Sequence, residues 1–320
     1  MLIPIVLFAV GLVFLIKGGD WFVDGATGLA RRLRMPELLI GATVVSIGTT
    51  LPEVMVSTTS ALGGHSEISY GNAIGSVICN TALIAAISVA VRPGKVNPST
   101  LKTPVSFFFA AAAIYCGVAY TTGYFSRPIG LLFLAMFVVY IIVTIRQMKG
   151  APVSGSARGG EEQSSLGHLL MLLVLGSVLI AVGAKLLVDN GTRIAQTLGV
   201  PESVIALTFV ALGTSLPELV TAVTSLIKGH SDLSLGNVIG ANLFNIVLVS
   251  GTSMSLAPFR VPQSAVIAGM NSSLVFEIPV MLGVMLLLTL PALLRGRLSR
   301  LQGLTLLAIY VVFCGIQFTL

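Results

Sequence analysis

Charge is scarce in this chain. Only 9% of its 320 residues are Asp, Glu, Lys or Arg, against 55% hydrophobic residues and a mean hydropathy of +0.99. That balance excludes a water-soluble globular protein and marks a polytopic membrane protein. Cysteine and histidine are equally sparse, three of each. Cys79, Cys116 and Cys314 sit in apolar runs without metal spacing, which leaves them as packing residues and says little about redox compartment. No His stands near Cys79 to activate it, and the Ser and Thr beside carboxylates lack a Lys or His partner. Hydrolytic chemistry is therefore disfavoured, and no enzyme is expected. The net charge of +6 is no nucleic-acid signature, because the basic residues lie in short loops. There is no basic n-region and no small-x-small cleavage pattern, so the first apolar run is read as a retained helix.

What is present is long apolar runs. Ten reach the length that crosses a hydrocarbon core of about 30 Å as helices: 2–28, 36–62, 68–91, 104–121, 128–146, 166–192, 201–227, 233–256, 265–291 and 301–319. They are too long and continuous for barrel strands. The fold class predicted is an all-α membrane protein of ten transmembrane helices. With the N-terminus outside, inside loops hold thirteen Lys and Arg (31, 32, 34, 92, 95, 102, 146, 149, 158, 228, 295, 297, 300). Outside loops hold three: Arg127, Arg193 and Arg260. The asymmetry favours both termini outside, in an inner or plasma membrane.

Shifted by 165 residues, the chain matches itself without a gap. From Pro36 to Leu83, 22 of 48 positions equal their partners at 201–248. Five spans separate the copies, an odd number, so the second copy enters the membrane from the opposite side. Two inverted-topology five-helix repeats are the ground plan of many secondary transporters. The expected division is a first repeat over 1–146, a cytoplasmic Gly/Ser-rich linker over 147–165 and a second repeat over 166–320.

The repeat carries "GTTLPE" at 48–53 and "GTSLPE" at 213–218, which places Glu53 and Glu218 mid-span. A charge at the bilayer centre costs roughly 2.5–3.5 kcal/mol, so each should face protein or water. Pro52 and Pro217 cannot donate to the carbonyls of Gly48 and Gly213. Backbone near Ser46 to Thr49, and near Ala211 to Thr214, is therefore expected to turn carbonyls into a cavity. Thr49, Thr50, Thr214 and Ser215 add hydroxyls. A second repeated element, "GNAIGSVICN" at 71–80 and "GNVIGANLFN" at 236–245, offers Asn72, Ser76, Asn80, Asn237 and Asn245. Residues 72, 76 and 80 share a helical face. Two carboxylates among neutral oxygens suit hard cations, Ca²⁺ or Na⁺, better than Mg²⁺, which sheds water reluctantly. A cation channel fits the single inverted pair of sites less well.

GTTLPE and GTSLPE, each followed by a GNxxG element, resemble the two α-repeats of the Ca²⁺/cation antiporter superfamily, most closely its prokaryotic sodium/calcium exchangers. The resemblance implies ten helices, alternating access, and exchange of several Na⁺ for one Ca²⁺, with no cofactor beyond the transported ions. It implies Glu53 and Glu218 as shared ligands, with backbone oxygens of Thr49 and Thr214 completing the Ca²⁺ site. Ser46 and Ala211 would give carbonyls to Na⁺ sites, and Thr50, Ser76 and Ser215 hydroxyls. Asn80 and Asn245 would line the cavity, while the long first and sixth helices slide across the core. Where the family often has Ser in the second repeat this chain has Ala241, so one Na⁺ site would lose a hydroxyl. Asn245 in place of the Asp of the K⁺-dependent branch argues against K⁺ coupling. Neither GN element is followed by the further Glu of the proton-coupled branch, which leaves H⁺/Ca²⁺ exchange at the same carboxylates as the alternative. The partners expected are inorganic cations and the lipid bilayer, with the chain as a monomer.

Other repeated polar residues have plainer readings. Glu37 and Glu202 follow Pro at helix starts and suit the positive dipole end. Asp24 and Asp189 read as interfacial, and His65 and His230 as turn residues. Asp20 has Lys185 as its counterpart and cannot join a symmetric site. Glu277, whose counterpart is Ala112, is read either as a regulatory carboxylate or as a partner of Ser272 or Ser273.

Overall fold

The computed structural model describes residues 2–150, 165–198, 213–263, 266–267 and 269–317. Among these, nine helices are long and apolar enough to cross a membrane. They are α1 (Leu2–Leu33), α2 (Glu37–Leu62), α3 (Ser66–Val91), α4 (Pro98–Thr121), α5 (Arg127–Gln147), α6 (Leu166–Ile194), α8 (Ser231–Leu256), α9 (Ser273–Arg295) and α10 (Arg300–Gln317). Between α6 and α8 lies the shorter apolar α7 (Leu216–Ile227). The chain is an all-helical multi-pass membrane protein. Ala211, Glu202 and the first part of the span expected over 201–227 fall outside the described residues, as does most of the linker.

Helix ends follow local chemistry. Asn97 caps α4, its side chain accepting from Ser99 N (3.0 Å) with Pro98 at the first position. The helix thus starts earlier than the apolar run at 104 suggests, because a cap and a proline do not need hydrophobic residues. The repeated Gly-His-Ser turns match in detail: Gly64 has φ 83° and Gly229 φ 88°. His65 N donates to Ser60 O (2.8 Å) and His230 N to Ser225 O (2.7 Å). A left-handed residue at that position favours glycine.

The ninth span corrects expectation. It begins at Ser273, not 265, and Val266–Ile267 instead pair with Met270–Asn271 in a hairpin turning at Gly269, φ 81°. Asn271 starts the helix, its Oδ1 accepting from Ser273 N (2.9 Å) while its Nδ2 donates to Pro262 O (2.6 Å). A cap residue and a left-handed glycine outweigh the apolar pattern there.

Two further two-residue ladders join loops distant in sequence. Gly94–Lys95 pair with Arg297–Leu298, and Tyr124–Phe125 with Phe259–Arg260. The loops α3–α4 and α9–α10 therefore share one face, and the loops α4–α5 and α8–α9 share one.

Helix α8 is the centre of the bundle, buried along almost all its length, whereas α1, α5 and α6 turn long apolar side chains outward. Such exposed Leu, Ile and Val belong against lipid. Helices α1 and α6 cross with glycine at the contact. A Cβ on Gly11 would stand 2.9 Å from Gly183 O, and one on Gly18 2.9 Å from Gly176 O. Gly11, Gly18 and Gly25 recur every seven residues, one face of a helix, and let the backbones touch.

Candidate cation site

Helices α2, α3, α7 and α8 bring the repeated motifs together. Glu53 and Glu218 are both 0% exposed, and the two carboxylates lie close enough for their charges to act on one another. None of their four oxygens finds a hydrogen-bond partner of good geometry among the described residues. Buried carboxylates without partners are rare, because removing charge from water uncompensated is costly. Around them lie more buried, unpartnered polar atoms: Thr50 Oγ1, Ser215 Oγ, and both amide atoms of Asn80 and Asn245. Thr49 and Thr50 lie beside the Glu218 carboxylate. Among the described residues no three His, Cys, Asp or Glu side chains form a metal cluster. The donor set is thus two carboxylates and neutral oxygens, the chemistry of a hard cation.

The hydrogen bonds that hold the motif threonines are themselves repeated. Thr49 donates to Asn237 Oδ1 (3.2 Å), and Thr214 donates to Asn72 Oδ1 (3.2 Å). Each threonine is thereby oriented by an asparagine of the other half. Asn72 also donates to Glu53 O (3.3 Å) and Ser57 Oγ (2.8 Å). Ser46 donates to Gly41 O (2.8 Å) and Asn237 O (2.9 Å), so its hydroxyl fastens α2 to α8. Ser76 is buried on α3, and Ala241 is buried on α8 with only a methyl group to offer.

Backbone irregularity lies elsewhere than expected. Residues 46–62 are α-helical straight through Pro52. A single proline removes one hydrogen bond, and its neighbours hold the helix. The break is one turn earlier, where Gly41–Val45 form a π-turn, and Tyr140 donates to the carbonyl of Ala42 (2.8 Å). Gly48, whose carbonyl Pro52 leaves without its helical donor, is covered by Phe22 of α1; a Cβ there would stand 3.0 Å from the ring. In the second half Gly213–Ser215 is a turn and α7 begins at Leu216, while Ala211 lies outside the described residues. Matching π-turns begin at Asn80 (Asn80–Ala85) and Asn245 (Asn245–Ser250). Such turns free backbone carbonyls and recur at functional sites.

Sequence reasoning missed Ser57, Thr221 and Ser225, all buried, the hydroxyls of the last two without a hydrogen-bond partner among the described residues. Extending helical spacing from the glutamates, 53 to 57 and 218 to 221 to 225, would have found them. It also missed Asn242, which donates to Thr81 Oγ1 (2.7 Å) and has no counterpart in the first half.

The plainer residues fall outside this cluster. Lys228 pairs with Asp20 (3.3 Å) and Asp24 (2.8 Å). Asp189 pairs with Lys185 (3.7 Å), both exposed. His230 Nδ1 lies 3.0 Å from Glu37 Oε1, joining the α7–α8 turn to the start of α2.

The sequence profile described as "Sodium/calcium exchanger protein" matches residues 3–146 and 168–319. A relative called putative antiporter CaxA, from Alkalimonas amylolytica, is 34% identical over 327 residues, covering 100% of this chain and 99% of the relative. Sodium/calcium exchanger MaX1 of Methanosarcina acetivorans is 30% identical over 345 residues, with 96% of each chain covered. A solved structure of the sodium-calcium exchanger NCX_Mj, soaked with 2.5 mM Na⁺ and 10 mM Sr²⁺, is 32% identical. It superposes with a TM-score of 0.81 over 97% of both chains. Two halves with the same motif, a buried acidic pair and a match along nearly the whole chain agree: the protein belongs to the sodium/calcium exchanger family of membrane transporters.

Proposed function

We infer that the protein is a secondary antiporter exchanging Na⁺ for Ca²⁺ by alternating access at one central site. The observation that carries this reading is the pair Glu53 and Glu218, fully buried, mutually close and without a hydrogen bond of good geometry among the described residues. Two carboxylates balance one Ca²⁺ or two Na⁺, and neutral oxygens of Thr49, Thr50, Thr214, Ser215, Ser46 and Ser76 offer room for a further Na⁺. Ala211 would supply a carbonyl, and Asn72, Asn80, Asn237, Asn245 and Ala241 line the cavity. Carrying two bare charges through a low-dielectric path is costly, so the site changes sides readily only when loaded. That asymmetry makes the protein an exchanger.

The halves 1–146 and 166–320, joined by a linker over 147–165, are read as inverted repeats. The two loop-to-loop ladders support this. Gly94–Lys95 and Phe259–Arg260 are 165 residues apart, and each pairs with the loop that follows the next helix of the other half. The basic residues of the loops favour both termini outside. The glycine contact of α1 with α6, and the cover Phe22 gives Gly48, suit a pair of helices that slides across the core.

The test is Ca²⁺ uptake into proteoliposomes loaded with Na⁺, with K⁺ or with an outwardly directed proton gradient. Uptake driven by internal Na⁺ alone fits the inference. Uptake that follows the proton gradient and ignores Na⁺ would replace it with H⁺/Ca²⁺ exchange at the same carboxylates.

A further inference from the structure

A second acidic pocket lies away from the central pair. It has a volume of about 340 Å³ and opens where the start of α3, the start of α9 and the end of α10 meet. Glu67, Tyr70, Ser272, Ser273, Glu277 and Gln317 line it. Glu277 is half-buried, with Oε2 accepting from Ser273 Oγ (3.1 Å) and Oε1 from Gln317 Nε2 (3.2 Å). Each carboxylate oxygen accepts more than one bond, so both keep a lone pair for a ligand. Ser273 and Glu277 are the two ends of a π-turn. The corresponding residues of the first half, 108–112, lie in the regular helix of α4, and Ala112 stands in place of Glu277. Nothing in a site built from both halves requires this carboxylate or this turn.

A separate observation points to a ligand. The Tyr70 side chain lines the pocket, and its buried hydroxyl, beside Ser273 and Glu277, makes no hydrogen bond of good geometry among the described residues. A hydroxyl hidden from bulk water in that way needs something to bind. Its oxygen, those of Ser272 and Ser273, and the carboxylates of Glu67 and Glu277 are all hard donors, and two carboxylates call for two positive charges.

We propose that this pocket is a second divalent-cation site, distinct from the transport site and built on Glu277, a carboxylate without a counterpart in the first half of the chain. Glu277 is its principal ligand and Tyr70 its buried oxygen. Ca²⁺, which accepts six to eight oxygens in irregular geometry, fits it better than Mg²⁺ with its strict octahedron. The site's place at a helix-end surface suits a cation held at the mouth of the molecule.

Calorimetric titration of the purified full chain with CaCl₂ tests it, in a Glu53→Gln/Glu218→Gln background that silences the central carboxylates. The expected result is one saturable Ca²⁺ site, weakened roughly threefold or more by Glu277→Gln and more weakly filled by MgCl₂. No saturable binding in the background, or a Glu277→Gln change below threefold, overturns the proposal. Should Glu277→Gln aggregate, Tyr70→Phe keeps the packed ring and removes only the oxygen. Weaker Ca²⁺ binding then supports the site, and unchanged binding overturns it. Neither result depends on Na⁺-coupled uptake, which is measured separately in vesicles of the unaltered chain.

Discussion

Asn72→Ala and Asn237→Ala should both weaken Ca²⁺ binding, but by different amounts that the hydrogen bonds set in advance. The two asparagines hold equivalent threonines, each at 3.2 Å. Asn237 does little more with its side chain, for its second contact, from Ser46 Oγ, is long at 3.4 Å. Asn72 makes two further bonds, to Ser57 Oγ and to the backbone carbonyl of Glu53 itself. At about 1 kcal/mol net for each bond, Asn237→Ala should lose about 1 kcal/mol and Asn72→Ala about 3. A factor of ten corresponds to about 1.4 kcal/mol, so these convert to roughly fivefold and roughly 150-fold. The assay is the half-saturating Ca²⁺ concentration for Na⁺-driven uptake, with thermal unfolding in cation-free buffer to remove any loss of fold. Equal effects, or a larger effect from Asn237→Ala, would refute the view that these asparagines position the ligands. Asn72→Asp is a useful companion, since it keeps the shape but removes the two donated bonds.

Gly18→Leu should force α1 and α6 apart, because even a Cβ there would sit 2.9 Å from Gly176 O. Overpacking of this kind costs about 1–3 kcal/mol. If the helices slide, uptake rate should fall while Ca²⁺ affinity holds, and a loss of affinity at unchanged rate would speak against sliding. Ala241→Ser restores the hydroxyl that Ser76 supplies in the first half, and should raise apparent Na⁺ affinity roughly two- to tenfold; unchanged Na⁺ dependence would place Ala241 outside the Na⁺ path. Lys228→Ala removes ion pairs to Asp20 and Asp24 at a partly exposed position. Such pairs contribute about 0.2–1 kcal/mol each, so the melting temperature should fall by only a few degrees, and less in high salt.

The membrane class, the repeat and the acidic pair were legible in sequence because each rests on something local or periodic. Apolar length needs no tertiary knowledge, and a mid-span glutamate is expensive wherever it stands. The repeat shift also brought together Asn72 and Thr214, or Asn237 and Thr49, as members of one site, though without saying which pairs touch. What the sequence could not show came from packing. The π-turn at Gly41–Val45 sits where Gly41 presses on Leu233 and Asn237 of α8, and no single-chain period encodes that contact. The proline signal was misread in the first half because the intact helix either side of Pro52 outweighs one lost bond. The start of α9 was misplaced because the apolar Val266, Ile267 and Met270 suit a surface hairpin as well as a span once Gly269 turns the chain. The partner of Asp20 and Asp24 was hidden too, since Lys228 lies over 200 positions away.

The most direct test of the central claim is radiolabelled Ca²⁺ uptake into Na⁺-loaded proteoliposomes carrying the unaltered chain, Glu53→Gln or Glu218→Gln. Removing one member of a buried charged set costs about 3–5 kcal/mol, roughly 10²–10⁴-fold. Uptake that requires internal Na⁺ and is lost in both variants is the result this account predicts. Na⁺-driven uptake that survives either substitution would contradict it, because one carboxylate would then suffice where the fold has buried two.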